Sequence, residues 1–168
     1  MKDLELNALV CMAKLDAIGI KYGNIVSVVV NTRAKSRWGQ CKSIGGNRYT
    51  INISASLLAD DAPQIGLEET LMHELAHSVK GCMNHKANWK AVVDRINRAY
   101  GYHIKRTNSA EDKGFTDEQI EVRQSVKRYA CSCAKCGYTI YRERLSDFVK
   151  RPGRYIHSGC GGHFERTV

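Results

Sequence analysis

No apolar run in this 168-residue chain is long enough to cross a bilayer. The longest, Ile25 to Val30, is broken by Ser27 and falls far short of the roughly 18 residues a spanning helix needs. The opening Met1-Lys2-Asp3-Leu4-Glu5 carries early acids and no sustained apolar stretch, so it does not read as a secretory leader. Internal repeats and low-complexity tracts are lacking too. Acids are in the minority, 17 against 26 Lys and Arg, leaving a formal charge of +9. That excess favours polyanionic partners, nucleic acid or acidic membrane surface, although charge argues only about association and solubility. What the chain does have is enough apolar residue, 43% of the total, to build a core, which excludes a disordered basic tail.

The seven cysteines, an odd number, are Cys11, Cys41, Cys82, Cys131, Cys133, Cys136 and Cys160. With no leader read, a cytoplasmic protein is expected, and clustered cysteines in a reducing compartment are more often metal ligands than disulfides. Charge is uneven along the chain. Residues 121–168 hold ten Lys and Arg, Lys127 among them, against four acids, a net of +6, and the preceding 120 residues carry the other +3.

Periodicity predicts a helix from Asp3 to about Ile18, with Leu6, Leu9, Val10, Ala13 and Ala17 at helical spacing. The β-branched stretch Ile25–Val30 reads as a strand buried on both faces. Two further strands flank Gly45-Gly46-Asn47, a hairpin signal. A helix from about Gln64 to Val79 is predicted next, with Asp61 as its cap and Pro63 near its first turn. Another runs from about Lys86 to Tyr100, with Trp89, Val92, Val93, Ile96 and Tyr100 on one stripe. A polar linker, a possible site for a short helix over Asp117 to Arg123, precedes short β-like pieces from Tyr129 onward.

On the central helix, His73-Glu74-Leu75-Ala76-His77 is an H-E-x-x-H motif. At about 100° per residue the two histidines lie about 40° apart and one turn separated, the reach needed for two imidazoles to share one Zn²⁺. Glu74 sits beside that metal, angled to hold a water. A catalytic zinc takes three protein ligands and keeps one position open. His85, in the loop after Gly81, is the favoured third ligand; the alternatives are that His85 caps the next helix, or that Cys82 ligates. Tyr49, Tyr100 and Tyr102 are candidate extra donors, but each reads more readily as a core or surface tyrosine.

Farther on, Cys133-Ala134-Lys135-Cys136 and His157-Ser158-Gly159-Cys160 are two x-x knuckles about twenty residues apart. That is zinc-ribbon arithmetic. The set Cys133, Cys136, His157 and Cys160 closes a tetrahedral site and makes it structural, with Cys131 for Cys133 or His163 for His157 left open. Cys11, Cys41 and Cys82 read as free thiols.

His73-Glu74-Leu75-Ala76-His77, His85-Lys86-Ala87-Asn88-Trp89 and Arg95-Ile96-Asn97 resemble the SprT-like family of zinc metalloproteases, which includes the Spartan proteases that degrade DNA–protein crosslinks. Arg37-Trp38-Gly39-Gln40-Cys41, and Ile51-Asn52-Ile53 followed by Leu57-Leu58, are similar to that family's approach to its active helix. The ribbon, with Tyr141-Arg142-Glu143-Arg144, Pro152 and Tyr155, is similar to the family's C-terminal appendage. The resemblance implies an α+β fold: a minimal zincin-like metalloprotease core of helices packed on a small sheet over residues 1–104, a linker or short helix over 105–125, and a small β-rich zinc-ribbon subdomain over 126–168. It also implies catalytic zinc on His73, His77 and His85 with Glu74 as the general base.

The leading expectation is a zinc endopeptidase holding two Zn²⁺, one catalytic and one structural. It would act on a protein substrate and be recruited by single- or double-stranded DNA without sequence specificity, with no membrane partner. It would be nucleoid-associated if recruited, nuclear in a eukaryote. Arg142, Arg144, Lys150, Arg151 and Arg154 are the candidate nucleic-acid contacts; the bland reading makes them a solvated face. The competing readings are a nucleic-acid-binding or regulatory zinc module without protease activity, and a peptidase that cleaves a free regulatory protein.

Overall fold

The computed structural model describes residues 1–34, 37–125 and 128–168, so Lys127, and with it the expected start of the ribbon at 126, lies outside the described residues. Two units are resolved, Met1–Phe115 and Thr116–Val168. Residues 105–115, read from sequence as linker, pack within the first. The α+β class is what the chain shows, with one small sheet in each unit.

Helix α1 (Leu4–Ala17) is capped by Asp3, whose side chain accepts from the Leu6 N–H. Its buried stripe is Leu4, Ala8, Cys11 and Leu15, the face opposite to the expected one, and Leu6 and Leu9 are 58% and 60% exposed. The helix is apolar on two opposing faces, so periodicity alone does not choose between them. The observed choice puts the small residues Ala8 and Cys11 toward the core and sets Lys14 to reach Glu68 (2.8 Å) and the Tyr102 hydroxyl (2.7 Å).

Strands β1 (Asn24–Asn31), β2 (Gly39–Gly45) and β3 (Arg48–Ser54) form a sheet in the order β1-β3-β2, with β1 parallel and β2 antiparallel to β3. The hairpin turns through Gly46 and Asn47, both at φ +58°, the left-handed pair that a two-residue turn demands. Tyr49, Ile51 and Ile53 of the central strand are buried. Contrary to expectation β1 is not buried on both faces: Val26, Val29 and Val30 are 39–45% exposed, because β1 is an edge strand. Its β-branched residues report strand preference, not burial.

Helix α2 (Gln64–Ser78) begins directly after Pro63, which occupies the cap position, so Asp61 is not the cap. Nearly every α2 residue from Gly66 onward is buried, and the helix meets α1, β2, β3 and α3. Helix α3 (Ala87–Tyr100) buries Trp89, Val93 and Ile96 and ends at Gly101, φ +67°. In the second unit, α4 (Asp117–Ser125) precedes β4 (Tyr129–Cys133), β5 (Thr139–Arg142), α5 (Asp147–Lys150) and β6 (Phe164–Arg166), with antiparallel order β5-β4-β6. Cys131, Cys133, Val149 and Phe164 form its core. Among the described residues no helix is long and apolar enough to cross a membrane.

The Lys14–Glu68–Tyr102 cluster ties α1 to α2. Burial works to raise the Glu68 carboxyl, but its bonds to Lys14, Tyr102 and Gln64 prevail and hold it below the ordinary value of 4.5. Its contribution is complete above that value and is lost as pH falls through the folded value. Lys14→Met is expected to cost about 1 kcal/mol at neutral pH and nearly nothing in acid. Trp38 and Trp89, both in the first unit, report this by fluorescence-detected unfolding; an equal loss at both pH values would contradict it.

Candidate metal centres

Helix α2 presents His73 and His77 from successive turns. The chain then leaves the helix at Val79, in extended conformation, and turns at Gly81 (φ +81°). This return brings the His85 Nε2 to 3.0 Å from the His73 Nε2 and 3.1 Å from the His77 Nε2. Trp89, in the first turn of α3, packs against all three rings, at centroid distances of 4.8, 5.6 and 4.6 Å. His85 does not cap α3: the cap position is Lys86, whose N–H is taken by the Asn84 side chain.

The donor chemistry suits a cation. The His77 Nδ1 lies 2.8 Å from the Cys82 carbonyl, an acceptor only, so the proton sits on Nδ1 and the Nε2 lone pair faces the cluster. Burial, with the neighbouring imidazoles next, pushes His73 down to about 3. Burial also lowers His77 and His85. The three rings are therefore neutral at pH 7, the form in which an imidazole ligates a metal. Nitrogen separations of 3.0 and 3.1 Å are close to the ~3.3 Å edge of a tetrahedron with Zn–N of about 2.0–2.1 Å.

Glu74 is 6% exposed, and burial pushes its carboxyl up to about 7 against the opposing pull of the Cys41 backbone N–H, Lys113 and Arg37. Strand β2 lies against it: a Cβ on Gly39 would sit 2.6 Å from the Glu74 Oε1. Gly39 and Trp89 thus shape the site. Sequence reading quoted both within motifs but gave neither a role, because what each touches comes from another element.

Cys82 is buried and outside the cluster, its thiol directed at the Lys80 carbonyl. Tyr100 and Tyr102 bond to the Lys14 carbonyl and Glu68, and Tyr49 is buried on β3. Cys11 and Cys41 are free thiols pushed up to about 12 by burial.

In the second unit Cys133, Cys136, His157 and Cys160 converge. Sulfur separations are 3.4 Å for Cys133–Cys160 and for Cys136–Cys160, and the His157 Nδ1 is 3.2 Å from both the Cys136 and the Cys160 sulfur. Desolvation acts to raise the Cys133 thiol, but the Cys136 and Lys135 N–H groups outweigh it and bring it to about 6. A thiol inclined to ionise among soft donors fits zinc. The two alternatives left open by spacing lie elsewhere: Cys131 is in the apolar core, and the His163 Nδ1 donates to the Gly153 carbonyl. Arg142, Arg144, Lys150, Arg151 and Arg154 are all exposed; Arg142 lies over Phe148 and Arg151 is 3.9 Å from Asp147.

The model of the SprT-like family matches residues 12–108, more than half of the chain. The chain belongs to the SprT-like family. That family is associated with zinc metalloprotease-like function, so the first unit is a metallopeptidase-like domain, and the histidine cluster falls within the matched region. No curated protein and no solved structure matches the chain. The second unit of this SprT-like protein lies beyond the matched residues.

Two clusters predict two metal ions per purified chain, falling to one in His85→Ala and to one in His157→Ala. Elemental analysis checks this; one ion or none in the unmodified chain would contradict it.

Proposed function

We propose that this SprT-like chain is a zinc endopeptidase, with His73, His77 and His85 holding the catalytic ion and Glu74 as general base. The observation that carries this reading is the convergence of three Nε2 atoms beside one buried carboxylate. Bound zinc supplies Lewis acidity toward a water and a peptide carbonyl. Glu74 takes the proton from that water and returns it to the leaving amine. The Cys41 backbone N–H, Lys113 and Arg37 all favour the ionised carboxylate, and the flat approach of Gly39 leaves room for it. Trp89 packs the three imidazoles and limits their rotation.

The ribbon holds the second zinc as a structural staple for a unit whose apolar core is small. Its net charge and exposed arginines support recruitment by DNA, so that DNA-bound or crosslinked proteins are the substrates. On this reading the protein works in the cytoplasm, at the nucleoid when DNA recruits it.

Incubation of the chain with a DNA-bound protein, with and without DNA, tests both parts. Cleavage is expected from the unmodified chain, faster with DNA, and none from Glu74→Gln. Equal behaviour of the two chains contradicts the enzyme, and cleavage indifferent to DNA and to loss of Lys150, Arg151 and Arg154 contradicts the recruitment. Gly39→Ala is expected to keep its metal yet lose about 10²-fold in turnover, because the added methyl displaces Glu74.

A further inference from the structure

Trp38 stands half-buried immediately before β2, and its side chain is held on two sides by residues from far along the chain. Its Nε1 donates to the Asn108 carbonyl at 3.2 Å, and its ring stacks on Phe115 with centroids 5.4 Å apart and planes 21° from parallel. Its own carbonyl accepts at 2.8 Å from the N–H of Ser54, a buried residue at the end of β3. The next residue, Gly39, pairs with the buried Ile53 in the sheet. Gly39 meets Glu74 so closely that a Cβ there would lie 2.6 Å from Oε1, 2.7 Å from Cγ and 3.0 Å from Cδ. Contacts this close leave no slack, so a shift of the β2 backbone either collides with the carboxylate or frees it.

The segment that holds the indole is itself seated on the helix that carries Glu74. The Lys113 carbonyl lies flat on the first turn of α2, where a Cβ on Gly66 would come within 2.6 Å of it. The Lys113 Nζ is 3.6 Å from the Glu69 Oε2, and both residues are buried. Lys113 and Phe115 donate their N–H groups to the Ala110 carbonyl at 3.1 and 3.2 Å, and Gly114 donates to Glu111 at 2.8 Å, so 110–115 is a closed turn of fixed shape. The contacts form a ring: α2 at Gly66 and Glu69, the turn, Trp38, Gly39, and α2 again at Glu74. Hydrogen bonds within the sheet set where Gly39 lies along β3. How closely the start of β2 approaches α2 is a matter of side-chain packing, and the indole, between the turn and the strand, supplies it.

We propose that Trp38 is a positioning residue for Glu74. Through Gly39 it fixes the wall against which the carboxylate rests, and so the direction the carboxylate takes. The consequence for turnover rests on Glu74 being the general base; the placement itself does not.

Two full-length variants test it: Trp38→Ala, and Trp38→Phe, which keeps a ring for Phe115 and lacks the N–H for Asn108. With the DNA-bound protein as substrate, Trp38→Ala is expected to lose about 10²-fold in kcat with KM and zinc content unchanged, because a small misplacement of a reacting group costs a large factor in rate. Trp38→Phe should lose several-fold. Both Trp38→Ala and Gly39→Ala act on one carboxylate, so the double variant should fall little below Gly39→Ala alone, whereas a role confined to stability would let the two losses add. A further readout needs no activity. In the purified chain labelled with ¹³C at its glutamate carboxyl groups, the Glu74 signal, assigned by its absence in Glu74→Gln, should be single in the unmodified protein and shifted or split in Trp38→Ala. Should Trp38→Ala not fold, a several-fold loss of kcat in Trp38→Phe with a moved Glu74 signal supports the proposal. An unmoved signal in whichever variants fold, or losses that simply add, overturns it. If the unmodified chain and Glu74→Gln are equally inert, the peptidase reading fails, and the carboxyl signal alone decides the placement.

Discussion

Three neutral imidazoles with their Nε2 atoms about 3 Å apart are the demand around which the first unit is organised. The three form a single set of nitrogen donors, with His77 buried, His73 half-buried and His85 exposed. The chain answers from several directions. Helix α2 supplies the spacing of His73 and His77, the turn at Gly81 returns His85, the Cys82 carbonyl fixes the His77 tautomer, and Trp89 closes over the rings.

Glu74 poses a related problem. Burial favours its neutral form, yet the proposed general base must be ionised. The Cys41 N–H and the positive charges of Lys113 and Arg37 all pull toward the carboxylate. Strand β2 provides the first of these contacts and, through Gly39, the clearance for the side chain. The sheet is therefore part of the site as well as a support for α2. The second unit is built on a different economy: its core of Cys131, Cys133, Val149 and Phe164 is small, and its four soft donors are gathered by two short knuckles. A metal there contributes directly to folding.

What could be read from the sequence was what is local. The H-E-x-x-H spacing and the two knuckles declare themselves because their ligands lie within one turn or one loop, and Gly46-Asn47 announces the hairpin for the same reason. The family resemblance, drawn on the residues around His73, His85 and Trp38, agrees with the family match over 12–108. The buried face of α1 was not legible, because Leu6, Leu9 and Val10 oppose a second apolar stripe and the outcome depends on Glu68 and Tyr102, over fifty residues away. β1 looked doubly buried because β-branching is shared by core and edge strands. The pairing of Glu69 with Lys113, and of Gly39 with Glu74, joins elements that no periodicity relates.

The central claim is that the chain holds one zinc on three histidines and another on three cysteines and a histidine. Anomalous diffraction at the zinc edge, from crystals of the purified full-length chain, tests it most directly. Two peaks are predicted: one about 2.0–2.1 Å from nitrogens of His73, His77 and His85, the other about 2.3 Å from the sulfurs of Cys133, Cys136 and Cys160 and bonded to His157. A zinc-loaded crystal with no peak among the three histidines, or with that ion held by Cys82 in place of His85, would contradict it.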